Sequence, residues 1–109
     1  MADFHLAIPI HNIPQARHFY ETILECTLGR MSDRWMDVNF WGHQVSLHLV
    51  DTMVVEDPTN SVDADDVPVR HFGLILDWDE WNALSGRLTD GTYADEIAWI
   101  IPPKIRFQG

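Results

Sequence analysis

The strongest constraint on this chain is a pattern that occurs twice: an alternating apolar strand beside a histidine, running into an amphipathic helix. Residues 3–10 set Phe4, Leu6, Ile8 and Ile10 against His5, Ala7 and Pro9, the period of a strand with one face in a core. Asn12 stands where a cap is needed and Pro14 where a first helical turn tolerates it. Ala16, Phe19, Tyr20, Ile23 and Leu24 then recur at helical spacing, which predicts a helix over 14–25, with Gly29 past its exit. Residues 69–77 repeat the alternation, with Phe72, Leu74 and Leu76 against His71, Gly73, Ile75 and Asp77. Trp78, Trp81, Leu84, Ser85 and Leu88 give a second helical pattern that ends near Gly91. Aligning His5 on His71 lays strand on strand and helix on helix, although two copies alone do not establish a repeat.

Three further strands are expected after the first helix, over 27–33, 35–41 and 43–50. In the second of these, Met36, Val38 and Phe40 oppose Trp35, Asp37, Asn39 and Trp41; in the third, Val45, Leu47 and Leu49 oppose Gln44, Ser46 and His48. Gly42 makes the turn between them. The segment holding Asp51, Glu56, Asp57, Asp63, Asp65 and Asp66, with Pro58, Asn60 and Pro68, reads as a solvated connection. Ala94 to Ile101 is strand-like until Pro102-Pro103 interrupts it. The expected architecture is a single α+β domain over 1–109. Its first module is β-α-β-β-β at about 1–57, and a shortened second module covers about 67–109.

Hydrophobic residues make up 46% of the chain, five Trp and five Phe among them, enough for a core and too many for a disordered segment. A formal charge of -10 repels phosphate backbones, so nucleic acid is not an expected partner. Cys26 is the sole cysteine, which excludes an internal disulfide and fits a reducing compartment; its place at the end of an apolar helix suggests packing rather than nucleophilic chemistry. Neither a signal segment nor an uninterrupted apolar run of membrane-spanning length is evident, so a cytoplasmic location away from membranes is the expectation.

The histidines carry the chemistry. His11 and His18 are explained by surface positions. His5, His48 and His71 each fall on the strand parity opposite the apolar residues, so three strands present imidazoles away from their core faces. Neutral imidazoles converging from rigid elements suit a divalent metal; each could equally be an ordinary histidine on a solvated face. His43 falls on the core parity at a strand's first residue. The same face as the three imidazoles would carry Trp35, Asp37, Asn39 and Trp41, where aromatic walls and a few polar groups suit a small organic ligand, or where the Trp residues bury against a partner subunit. Asp37 and Asn39 could orient an imidazole or serve only as cross-strand pairs. There is no Gly-rich phosphate loop and no serine flanked by elbow glycines.

The segments FHLAIPI at 4–10, ARHFYETIL at 16–24, FWGHQVSLHL at 40–49 and VPVRHFGLILDWDEWNALSGRL at 67–88 resemble the vicinal oxygen chelate superfamily, the glyoxalase, bleomycin-resistance and extradiol-dioxygenase group. The resemblance implies paired βαβββ modules curled around a divalent metal (Fe, Mn, Zn or Ni), with ligands from the first and last strands of each module. Carried over, His5, His48 and His71 are ligands. The usual fourth, a Glu on the last strand of the second module, has no counterpart before Gly109. The implied function is a metal-dependent lyase or dioxygenase acting on a small oxygen-chelating substrate. The rivals are a resistance-type protein that sequesters a small molecule, and an inactive homologue acting only as a dimer. A homodimer is expected because an incomplete second module leaves a sheet edge open to pairing with another chain.

Overall fold

The computed structural model describes residues 3–52, 58–62 and 64–104. The chain divides into two units, Met1–Val54 and Val55–Gly109.

In the first unit, strand β1 (His5–Ile10) leads into helix α1 (Ile13–Arg17), which continues as a π-helical segment over His18–Ile23. Asn12 caps α1 by accepting the Gln15 N–H at 2.8 Å, and Pro14 lies in the first turn, where no intrahelical N–H is needed. The widened turn shows in the Leu24 N–H bond to the Phe19 carbonyl, five residues back. Glu25, at φ 59°, then turns the chain out of the helix through the left-handed region. Strands β2 (Thr27–Met31), β3 (Trp35–Phe40) and β4 (His43–Leu49) follow. The sheet order is β1-β4-β3-β2, with β1 parallel to β4 and the other pairs antiparallel.

One face of this sheet makes the core. Met36 and Val38 of β3, Val45 and Leu47 of β4, Ile10 and Cys26 form a buried cluster, and Ile13, Ala16, Tyr20 and Leu24 of the helix pack against it. Burying each such large apolar side chain stabilises the fold by roughly 1.5–3 kcal/mol. The alternation that predicted these strands is the alternation that buries them. Trp41 departs from it: with Gly42 it forms a two-residue turn, at φ 49° and 87°, so it is not a strand residue and strand parity does not apply to it.

The second unit differs from expectation in three places. Part of the acidic connection is a hairpin of strand β5 (Thr59–Val62) and strand β6 (Asp65–Pro68), closed through Ala64 at φ 69°, and Asp65 pairs with Lys104. Glu56, Asp57 and Asp63 lie outside the described residues. Residues 69–77 are not a strand, and neither are 94–101, whose first three residues are turn. The physical reason is pairing. A strand needs a neighbouring strand, and among the described residues of this unit the β5–β6 ladder is the only one. Ile75 is accordingly fully exposed, at 104%. Helix α2 (Trp78–Thr89) forms where the spacing predicted, capped by Asp77 accepting the Glu80 N–H at 2.8 Å. Trp81, Leu84, Ser85 and Leu88 are among its half-buried residues. Among the described residues, no helix is long and apolar enough to cross a membrane.

Candidate functional site

The face of the first sheet opposite the core is polar, and strand register sets its rows. His5 lies beside Gln44, Gln44 beside Asn39, and Asn39 beside Thr27. The next row holds Ala7, Ser46 and Asp37; the one after, Pro9, His48 and Trp35. His5 and His48 therefore share a face but not a place. His48 lies four steps along β4 from Gln44, roughly 13 Å at about 3.3 Å per residue. The side chain that meets His5 is Gln44, whose Oε1 is 3.2 Å from the His5 Nδ1.

Asp37 is the centre of a polar network. It is buried, at 6% exposure, and its Oδ1 accepts the Ser46 hydroxyl at 2.6 Å, the cross-strand pairing that register dictates. The Arg30 Nε is 3.4 Å from Oδ2. The Ser46 hydroxyl above all, then the Gln44 amide and the Arg30 guanidinium, hold the Asp37 carboxyl below the usual carboxylate range against the burial that pushes it up. Asn39 serves the turn instead, where its Oδ1 accepts the Gly42 N–H at 2.8 Å and fixes the backbone.

A groove of about 410 Å³ opens along this face, lined by Asp3, Arg30, Asp37, Asn39, His43 and Gln44 together with Thr27 to Gly29. Its volume suits a small organic molecule. Consecutive residues of β2 line it because the pairing with β3 slips between Leu28 and Met31: an extra residue bulges there. Gly29 is required by close approach, since a Cβ at this position would lie 3.3 Å from the Asp37 Cβ. Of the residues the sequence assigned to a ligand cleft, Asp37 and Asn39 line the groove, whereas Trp35 and Trp41 do not. Trp35 instead supports the Arg30 guanidinium, 5.6 Å from its ring centroid, and Trp41 packs edge-on to Phe40. Arg30, His43 and Gln44 were not singled out as ligand-binding by the sequence. Gln44 could have been, because it shares the parity of His48 and pairs with the strand of His5.

His71 follows β6 in irregular chain rather than on a strand, so no strand parity orients it. Its Nδ1 lies 2.6 Å from the Pro68 carbonyl. Since both oxygens are acceptors, His71 and His5 each donate from Nδ1, which leaves Nε2 as the lone-pair nitrogen. That is the arrangement of a metal-bound imidazole, whose second nitrogen is anchored on a protein oxygen. The two side chains therefore fit a divalent ion in their chemistry. Within either unit, no three His, Cys, Asp or Glu side chains among the described residues gather into a metal-holding group. His11 and His18 are exposed, as their positions predicted. Cys26 is buried in the core, and burial pushes its thiol pKa up, the setting of a packing residue.

Among solved structures, the chain is similar to a glyoxalase/bleomycin resistance protein/dioxygenase from Alicyclobacillus acidocaldarius, at 30% identity and a TM-score of 0.67 over 82% of this chain. The chain spans 62% of that protein's length. Two integron cassette proteins from the mobile metagenomes of V. cholerae and V. pseudocholerae share the fold at 18% and 16% identity, with TM-scores of 0.54 and 0.53. Each similarity covers 83% of this chain and 66% of the other. No protein-family model and no curated protein sequence matches the chain. The sheet order, the βαβββ module and the similarity at 30% identity lead to one conclusion: in fold as in sequence, the chain resembles the glyoxalase, bleomycin-resistance and dioxygenase proteins of the vicinal oxygen chelate superfamily.

Proposed function

We propose that this is a metal-dependent, glyoxalase- or dioxygenase-like protein acting on a small oxygen-chelating organic molecule, with imidazoles of His5 and His71 as metal ligands. The observation that carries the reading is the shared anchoring of His5 and His71, each with Nδ1 on a protein oxygen and Nε2 left for an ion. His48 shares the sheet face of His5 but lies roughly 13 Å along it, too far to ligate the same ion. A bound divalent ion would supply Lewis-acid polarisation of neighbouring oxygens on the substrate. The chain's own residues position and select: Gln44 holds the His5 ring, and the groove holds the organic part.

Metal content of the purified protein tests this reading. About one divalent ion per protein molecule is expected, with His5→Ala and His71→Ala each lowering affinity at least ~10-fold and His11→Ala leaving it unchanged. Equal retention in all three variants would defeat the assignment. Binding should weaken as the solution is acidified, because protonated imidazole does not ligate.

The groove favours a second reading, a sequestering protein that needs no metal, because its 410 Å³ and polar lining suit a ligand by themselves. A metal-free preparation that still binds ligand would select it. Under either reading we propose a homodimer, supported by the exposed apolar side chains of Ile75, Trp78, Trp99 and Ile100 in the second unit. Sedimentation at micromolar concentration checks it, and a monomer would refute it.

A further inference from the structure

The groove of the first unit has a hydrogen-bonding polarity that its residue names conceal. Asp37, Asn39, His43 and Gln44 could each offer an acceptor to a ligand. Their bonds remove most of that capacity. Asp37 accepts the Ser46 hydroxyl on one oxygen and faces the Arg30 Nε with the other. The Gln44 Oε1 is taken by His5. The Asn39 Oδ1 is taken by the Gly42 N–H, which orients the amide and leaves Nδ2 as its donor end. The His43 Nδ1 accepts the Phe4 N–H at 3.0 Å, so the proton of the neutral ring sits on Nε2 and that nitrogen too is a donor. Arg30 contributes a guanidinium, with a side chain 81% exposed, whose Nε lies 3.4 Å from Asp37 Oδ2. It is carried to this face by the β2 bulge and supported from one side by the Trp35 ring.

The groove therefore presents donors from three residues around a carboxylate that is already satisfied. We propose that it is an anion site, and that its ligand is a small organic molecule bearing a carboxylate, recognised by Arg30 with Asn39 Nδ2 and His43 Nε2. This goes beyond the metal-dependent reading and does not require it, because the three residues that recognise the ligand lie in the first unit and none is a proposed metal ligand. It also reverses the expectation from net charge. A chain of formal charge -10 invites a cationic ligand, yet the groove's acceptors are spent on the protein itself. Asp3, the other acidic residue of the lining, lowers the affinity for an anion without removing the donors.

Three near-isosteric probes separate the alternatives: benzoate, neutral benzamide and cationic benzamidine, titrated into chelator-treated protein and followed by the side-chain N–H resonances of Arg30 and Asn39. Chelation makes the outcome independent of the metal assignment. Benzoate should bind at least ~5-fold more tightly than benzamide, and benzamidine more weakly than either. Arg30→Gln should weaken benzoate about 10-fold or more. Asn39→Asp keeps the oxygen that holds the turn while replacing the donor with a charge, so it should also reject benzoate. Amide spectra report that both variants remain folded. Benzamidine binding as tightly as benzoate would overturn the proposal. So would benzoate affinities within about twofold of the parent in both variants, or no saturable binding of benzoate at all.

Discussion

The two units carry the same kind of sequence, an alternating segment beside a histidine followed by an amphipathic helix, and reach very different burial. Every buried residue among those described lies in the first unit; the second has none. In the first, Leu6 and Ile8 sit on a strand whose entire length pairs with β4. In the second, Phe72 and Leu74 sit in irregular chain, and Phe72 is 42% exposed. Alternation states which side chains would share a face. Pairing decides whether that face exists.

The largest test of this contrast is core truncation. Leu47→Ala in β4 should cost about 2–5 kcal/mol in urea unfolding, whereas Leu84→Ala on the half-buried face of α2 should cost about 1 kcal/mol. Equal losses would show that the second unit packs as tightly as the first.

Acid sharpens the contrast next. The folded Asp37 carboxyl titrates below its unfolded value, so its contribution is fully present above the ordinary carboxylate range, about pH 3.9, and is lost as pH falls through the lower folded value. Resonances of the first unit should report destabilisation below about pH 4 that is smaller in Asp37→Asn. An unchanged acid profile would remove Asp37 from the account.

Gly42→Ala should cost about 1 kcal/mol, because φ 87° at the β3–β4 turn strains any side chain while nothing lies within 4 Å of an added Cβ to clash with it. The smallest and most local effect is expected from Asp77→Ala. Losing the cap of α2 should reduce helical circular dichroism and leave the denaturation midpoint of the first unit unmoved. A shifted midpoint would couple the two units in stability.

These contrasts also explain how far the sequence could be read. The first module was legible to within a residue or two for β1, β3 and β4, because the apolar alternation within each strand reports a real core face, whereas Phe4 falls outside β1 and is exposed. The π-helical segment was not, since Ala16, Phe19 and Tyr20 fit an α spacing equally well until Ile23. Trp41 was misplaced because alternation cannot register a turn made by two residues of positive φ, one of them a Trp. The acidic segment concealed a hairpin whose strands, Thr59–Val62 and Asp65–Pro68, have no apolar period. At the site, parity placed Asp37 and His5 on the polar face but could not give their rows. Strand register puts Gln44 beside His5, and a bulge brings Arg30 to Asp37. Both are long-range consequences of pairing, invisible to a local pattern.

The parallel pairing of β1 with β4 has a consequence for the order in which this protein is made. The β2–β3–β4 meander closes through short turns and can assemble as soon as it exists. The first strand cannot join it until β4 is present, so His5 must wait 39 positions for Gln44. Docking of β1 is therefore the loop closure of greatest sequence separation in this sheet and the step expected to limit the rate. During synthesis β1 thus emerges before the rest of its sheet and is secured after it, and the His5 side of the site is assembled only when the sheet is complete.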